Sequence, residues 1–252
     1  MQAVISPQDR SFNYGDGIFT TMQVRGGDIQ LWPLHLQRLQ LGAAKLGLAP
    51  IDWQQLQLQA EQAVSSAEQV IKILISRGEG GRGYACNNVS APRIYISCSA
   101  MPDYQQARQQ GVCLVVAQLA LAVQPALAGL KHNNRLEQVL LKQELAQSGA
   151  EELLVLDQLG FVTEVTAANV FFQRGGQWFT PELKRAGVDG VMRQHLMQQM
   201  PVTEVNWQID ELREVDAMFI CNALMGIVPV RRFEHNSLSL AQVQQFIQQV
   251  VC

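Results

Sequence analysis

Two α+β lobes are the fold this sequence predicts, and three observations lead there. Strand-like runs outnumber helical ones, they come as hairpins in both halves, and they do not follow the regular strand–helix alternation of a doubly wound parallel sheet. A polar stretch over residues 100–110, carrying Pro102, reads as the crossing between lobes. It divides the chain into a smaller N-terminal lobe, residues 1–109, and a larger C-terminal lobe, residues 110–252. Clefts between lobes are the usual place for a small-molecule site, so one is expected near this crossing.

The elements follow in order. Ile18 to Val24 alternates as a strand, Gly26-Gly27-Asp28 is a turn, and Ile29 to Trp32 returns as a second strand. Pro33 suits a helix's first turn, the apolar period runs from Leu34 to Leu46, and Gly47 closes it. Asp52 caps a second helix to about Ala67. Val70–Ser76 and Arg93–Ser99 are strands on either side of a glycine-rich loop. In the second half, Val112 to Leu121 is a strand. A helix follows Lys131, with Leu136, Val139, Leu140 and Ala146 as its apolar face and Arg135, Glu137, Lys142 and Glu144 as its polar one. Asn133 or Asn134 is placed to cap it. Strands are predicted over 152–157, 161–165, 170–173 and 178–180, then a helix from Gly190 to about Met200. Strands over 202–206, 217–221 and 227–231 precede a closing helix over 240–250.

Composition excludes several classes. The net charge of −3, without basic runs, implies no nucleic-acid surface. No apolar run is long enough to span a bilayer, and Met1 to Pro7 lacks the pattern of a signal peptide. Five cysteines, odd in number and without a C-x-x-C pair, point to a reduced, cytoplasmic protein, with Cys98, Cys113 and Cys221 in apolar, strand-like runs. The four histidines, His35, His132, His195 and His235, have no metal-ligand spacing, so no metal site is expected.

Chemistry therefore rests on a few features. Lys131, one of five lysines, sits on a turn between a strand and a helix. On spacing alone a solvated loop lysine is the commoner outcome. Glu164 is a carboxylate in a run of apolar and small residues, either facing outward on an alternating strand or meeting a protonated partner. Gly187-Val188-Asp189-Gly190 leads into a helix and Cys221-Asn222-Ala223 ends a strand; both turns offer backbone donors to an anion, and both are also common without a ligand. Arg77 to Tyr84 packs four glycines and two arginines into eight residues, which suits carboxylate recognition or a mobile, soluble loop. A mounted lysine, a semi-buried carboxylate, a helix-borne arginine and two anion-ready turns are together the parts of a pyridoxal phosphate site.

These residues also carry a family resemblance. The motifs are Tyr14-Gly15-Asp16-Gly17-Ile18-Phe19-Thr20-Thr21, His35-x-x-Arg38-Leu39, Arg77 to Tyr84, Gly129-Leu130-Lys131-His132-x-Asn134-Arg135-Leu136, Thr163-Glu164 through Phe171, and Cys221 to Met225. In that order they resemble the fold-type IV pyridoxal phosphate enzymes, a family of aminodeoxychorismate lyases and of branched-chain and D-amino-acid aminotransferases. The Arg77–Tyr84 loop and the run after Lys131 point to the lyase branch. The resemblance implies that Lys131 holds the cofactor aldehyde as an imine and serves as base, and that Glu164 pairs with the pyridinium nitrogen. It further implies that Arg38, the backbone at Val191 and Met192, and the Asn222-Ala223 turn bind the phosphate. Thr20, Arg77, Arg82 and Tyr84 are the implied substrate side. The implied reaction converts 4-amino-4-deoxychorismate to 4-aminobenzoate and pyruvate in folate synthesis, by a homodimer; an aminotransferase of the same family is the alternative. The stretch ahead of Tyr14 is short for the family, so an opening strand is expected to be trimmed or replaced.

Overall fold

The computed structural model describes residues 5–251. Met1–Val4 and Cys252, on which parts of the N-terminal and cysteine readings fall, lie outside the described residues. The chain divides into two compact units: Met1–Pro102 with Leu130–Arg135, and Asp103–Gly129 with Leu136–Cys252.

In the first unit a short helix, α1 (Arg10–Tyr14), precedes strand β1 (Gly17–Arg25) and the two-residue β2 (Asp28–Ile29). Helices α2 (Trp32–Leu46) and α3 (Trp53–Gln62) follow, then β3 (Glu68–Ser76) and β4 (Arg93–Ser99). The sheet is antiparallel in the order β2-β1-β3-β4. Strand alternation decides what each face carries. Ile18, Met22 and Val24 of β1 and Ile71, Ile73 and Ile75 of β3 pack on Leu39, Ala43, Leu56 and Ala60 of the two helices. Phe19, Thr21, Lys72 and Leu74 alternate onto the other face. The expected strand over Ile29–Trp32 shrinks because Leu31 turns left-handed (φ 54°) and Trp32 already begins α2, with Pro33 in its first turn.

The Lys131 segment was expected with the C-terminal lobe, but Leu130–Arg135 groups with the first unit. The reason is local. β2 pairs only with the Val24–Arg25 end of β1, which leaves the Gly17–Phe19 edge to be covered. There the Phe19 N–H donates to the Lys131 carbonyl (2.9 Å), the Asn133 N–H donates to the Gly17 carbonyl (2.9 Å), and Ile18 bridges His132.

The second unit opens with α4 (Gln105–Gln110), a helix within the polar stretch read as the crossing. It continues with β5 (Val112–Val116), α5 (Leu136–Ser148), β6 (Glu152–Leu156), β7 (Val162–Val165), β8 (Asn169–Arg174) and β9 (Gln177–Pro181). Helix α6 (Val191–Gln199), β10 (Val202–Val205), β11 (Ala217–Asn222), β12 (Gly226–Phe233), β13 (Asn236–Ser237) and α7 (Leu240–Val251) complete it. The mixed sheet runs β10-β9-β8-β11-β12-β5-β6-β7, with β13 on β12. Its central strands are buried on both faces: Val170, Phe172, Met218 and Ile220 enter one core, while Phe171 and Phe219 stack at 4.7 Å in another with Leu196 and Phe246.

Helix α5 is turned around relative to its expected orientation. Leu136, Val139 and Leu140 are exposed, and Leu141 alone on the helix is fully buried. The acidic side faces the protein instead: Glu144 accepts the N–H groups of Gln118 and Leu119, and Glu137 accepts that of Ala122. Those backbone donors lie in an irregular stretch that reaches β6 only through Ala117 and Leu121, and unpaired donors cost more than an exposed leucine. Cys98, expected in a buried run, is exposed on β4, while Cys113 and Cys221 are buried; all three, with Cys86, are free thiols.

Candidate active site

Lys131 is held by its backbone. Its carbonyl accepts from Phe19, and Arg135 forks onto the carbonyls on either side of it, Nε to His132 (2.8 Å) and Nη2 to Leu130 (3.1 Å). Arg135, read from the sequence as a solvent-facing helix residue, is the clamp of this turn. Asn133 does not cap α5; its amide donates to Ser11 Oγ (2.8 Å). The Lys131 Nζ lies over the Phe19 ring, 4.6 Å from its centroid. His132 is held down to about 4, by burial and then by the Arg135 guanidinium, so its ring is neutral near pH 7.

Arg38, on α2, donates through Nη2 to the Thr20 hydroxyl. A guanidinium only donates, so the Thr20 hydroxyl accepts there, and it is also hydrogen-bonded to His35 Nδ1 at 2.6 Å. His35 is fully buried and is kept well below its usual range by that burial, then by Arg38 and Lys131. The expected substrate contact at Thr20 is therefore corrected: this side chain is buried with the α2 face and engaged on both sides. Alternation puts Thr21, not Thr20, on the Phe19 face.

The glycine-rich loop separates its residues. Arg77, expected to meet substrate, is consumed within the first unit: Nε pairs with Asp16 (2.7 Å), and the other nitrogens donate to the carbonyls of Gly47 and Leu46. Burial alone would raise Asp16, but Arg77 and Arg10 outweigh it and hold its carboxyl below the usual range. Arg10, which the motifs did not single out, is buried and grips the carbonyls of Gly83, Tyr84 and Ala85. Arg82 and Tyr84 remain exposed on the loop so shaped, with the Tyr84 ring edge-on to Tyr14.

In the second unit Glu164 lies on β7, every residue of which is buried, and its Oε2 accepts the Val188 N–H at 2.9 Å. The outward-facing reading of this residue is thus set aside. The Gly187–Gly190 turn closes on it for lack of side chains. A Cβ on Gly187 (φ +82°) would lie 2.7 Å from Thr163 Cγ2, and one on Gly190 would lie 2.1 Å from Asn169 Oδ1. Asn169 also donates to the Val188 carbonyl (2.8 Å). Gly129 supplies a left-handed turn (φ +78°), and its N–H donates to the Gly187 carbonyl. Gly190 caps α6 without a side chain, so Val191 and Met192 open a helix whose first N–H groups have no acceptor within it. Buried Arg193 fastens this end through Asp189 (2.8 Å), the Pro181 carbonyl and Glu204. The Asn222 amide holds its own turn: Nδ2 donates to the Ala167 carbonyl, and Oδ1 accepts from Leu224 and Met225. Ala223 sits within that turn. Among the described residues no cluster of three or more His, Cys, Asp or Glu could hold a metal ion.

The chain is similar to known proteins over most of its length. The model of the amino-transferase class IV family matches residues 17–233. The chain is 38% identical over 229 residues to an aminodeoxychorismate lyase of Vibrio harveyi, covering 88% of this chain and 84% of that one. It superposes with a TM-score of 0.93 on the crystal structure of 4-amino-4-deoxychorismate lyase from Pseudomonas aeruginosa, at 37% identity, covering 98% of this chain and 94% of that one. A D-alanine aminotransferase of Bacillus licheniformis is 21% identical over 246 residues, 94% of this chain and 86% of that protein. The two-lobed α+β, fold-type IV architecture is thus the one observed, and with 17–233 matched end to end by one family's pattern, the chain belongs to the amino-transferase class IV family.

Proposed function

We propose that the protein is a pyridoxal phosphate-dependent lyase that converts 4-amino-4-deoxychorismate to 4-aminobenzoate and pyruvate for folate synthesis, and that it works as a cytoplasmic homodimer. The observation that carries this reading is the Lys131 amine, over the Phe19 ring on a turn fixed at three successive carbonyls. The two lyases named above, similar over nearly all of the chain, support the choice of reaction.

The residues fit the cofactor by their chemistry. Lys131 would take its aldehyde, Glu164 would keep its ring nitrogen protonated, and Arg38 with the Val191 and Met192 N–H groups would hold its phosphate. Asn222 would contribute by shaping the turn that presents the Ala223 backbone. When bound, pyridoxal phosphate supplies an electron sink for the carbon that bears the substrate amine. Lys131 Nζ would take the proton from that carbon. Cleavage of the ring C–O bond would then expel enolpyruvate and leave the ring aromatic, and return of that proton to the enol carbon would complete pyruvate. His132 and His35, both neutral, add no charge that would compete for the carboxylates of the substrate. Arg82 and Tyr84 are the loop residues left to meet substrate, since Arg77 is engaged elsewhere.

The exposed stripe of Leu136, Val139 and Leu140 supports assembly, because adjacent apolar side chains on one helix face are usually covered. Free thiols at Cys86, Cys98, Cys113 and Cys221 suit a reducing compartment, and no helix of the described residues is long and apolar enough to cross a membrane. The test is the purified protein, loaded with pyridoxal phosphate and given 4-amino-4-deoxychorismate. Equal amounts of 4-aminobenzoate and pyruvate are expected. Sustained transamination of a D-amino or branched-chain amino acid without 4-aminobenzoate would replace the lyase with an aminotransferase.

A further inference from the structure

β3 and β4 are antiparallel neighbours, in register from Val70 opposite Ser99 to Ser76 opposite Arg93. A tight turn of about two to five residues would join such a pair. The chain spends residues 77–92 instead, with no helix or strand among them. A loop of that length in a compact unit is either disordered or built for a use. This one is built, because it is wound around a single buried side chain, that of Arg10. All five N–H groups of the Arg10 guanidinium have acceptors. Nε pairs with Asp16 (2.8 Å), Nη1 donates to the carbonyls of Gly83 (3.2 Å) and Ala85 (3.1 Å), and Nη2 donates to the Tyr84 carbonyl (3.0 Å) and to Cys86 Sγ (3.8 Å). Four successive residues thus turn their acceptors onto one guanidinium, and Gly83 allows the curl with a φ of +93°. Gly80 crosses the stem of the same side chain: a Cβ there would lie 3.1 Å from Arg10 Cδ. Asp16 ties Arg10 to Arg77, the loop's first residue. The Arg10 guanidinium also lies over the Tyr14 ring, 5.1 Å from its centroid, and Tyr14 meets Tyr84 edge-on.

A buried charge is a costly way to stabilise a loop that a short turn could replace. What the arrangement delivers is a fixed backbone beneath two exposed side chains, Arg82 and Tyr84, which flank the pinned Gly83. A binding group that is ordered in advance loses less freedom when its ligand arrives. We infer that Arg10 is a positioning residue for the substrate: it holds the 77–92 loop as a rigid arm, so that Arg82 and Tyr84 are in place before the substrate binds. The inference rests on the proposed function, in which those two residues meet the substrate.

The experiment compares wild type, Arg10→Met, Arg10→Lys, the paired variant Arg82→Ala/Tyr84→Ala, and that pair combined with Arg10→Met, all as cofactor-loaded proteins. Three readouts are taken: steady-state kinetics with 4-amino-4-deoxychorismate, the Kd for pyridoxal phosphate by fluorescence titration, and the rate of tryptic cleavage after Arg82 in the native protein, followed by mass spectrometry. Arg10→Met is expected to raise KM about ten-fold, because two side chains must then be ordered on binding, while kcat and the cofactor Kd stay within about two-fold. Cleavage after Arg82 should quicken by about ten-fold or more as the arm opens locally. Arg10→Lys keeps a charge beside Asp16 but has three donors and no fork, so it should fall between the two; it carries the test if Arg10→Met does not fold. In the combined variant KM should equal that of the Arg82/Tyr84 pair, since Arg10 acts through those residues. An Arg10 that served the fold alone would give effects that multiply, with cofactor binding weakened in parallel. That result overturns the inference, as do an unchanged KM and cleavage rate in both Arg10 variants. Should wild type make no pyruvate, the lyase reading fails, and the cleavage comparison, which needs no substrate, decides alone for or against Arg10.

Discussion

The turn around Lys131 and the turn from Gly187 to Gly190 are both rigid, for opposite reasons. The first is fixed by added bonds: an arginine fork on two carbonyls and a strand edge on a third. The second is fixed by what is missing, since Thr163, Glu164 and Asn169 close on a backbone that has no Cβ at two positions. The first should therefore fail when a side chain is removed, and the second when a single methyl group is added.

The largest effect is expected from that methyl group. Gly190→Ala places a Cβ 2.1 Å from Asn169 Oδ1. The overlap should cost about 3 kcal/mol, at the upper end of overpacking penalties. In a thermal melt this is a drop on the order of 10 °C for a chain of this size. Adding Asn169→Ala should recover part of it; a melt equal to wild type for Gly190→Ala would mean that the turn is not close-packed.

A loss of similar size is expected from acid. His132 sits at about 4 in the folded chain, below its unfolded value, and His35 is lowered in the same direction. Between those values the unfolded chain binds more protons, so stability is complete above about pH 6.5 and falls as pH drops through about 4. Denaturant titrations at pH 7 and pH 4.5 should differ by about 2 kcal/mol for His132, whose partial exposure tempers the full shift. His132→Asn should flatten the dependence.

Arg135→Ala comes next. It removes two hydrogen bonds from buried or half-buried carbonyls beside Lys131 and should cost about 2 kcal/mol of stability. Turnover should fall further than that figure alone suggests, because a displaced reactive group loses rate steeply with small shifts. Wild-type kcat in this variant would mean that the strand edge alone positions the lysine. The smallest effect on the fold is expected from Leu140→Glu, an exposed site where substitutions stay within about 0.5 kcal/mol. Its readout is assembly: a monomer in sedimentation is expected, and an unchanged dimer would move the interface off α5.

These contrasts also mark what the sequence could carry. Elements defined by local alternation, such as β1 and β3, were legible, as was the Pro33-to-Gly47 helix. The same alternation would have separated Thr20 from Thr21, because Thr20 shares its face with Ile18, Met22 and Val24. Helix α5 shows where periodicity stops being enough: its apolar stripe was visible, but the backbone donors at 118–122 that claim Glu137 and Glu144 were not. Arg77 looked like a ligand residue because a glycine-rich loop hides its partner, Asp16, which lies 61 residues earlier. Arg10 and Arg135 were passed over because their acceptors are backbone carbonyls, which leave no mark on residue identity.

The central claim is that Lys131 is the residue that takes the cofactor. It is tested most directly by loading the protein with pyridoxal phosphate, reducing with borohydride, and mapping the modified peptide by mass spectrometry. The pyridoxyl group is predicted on Lys131, with none on Lys72 although its amine reaches the same Phe19 ring. A label on Lys72, or none at all on Lys131, would contradict the account.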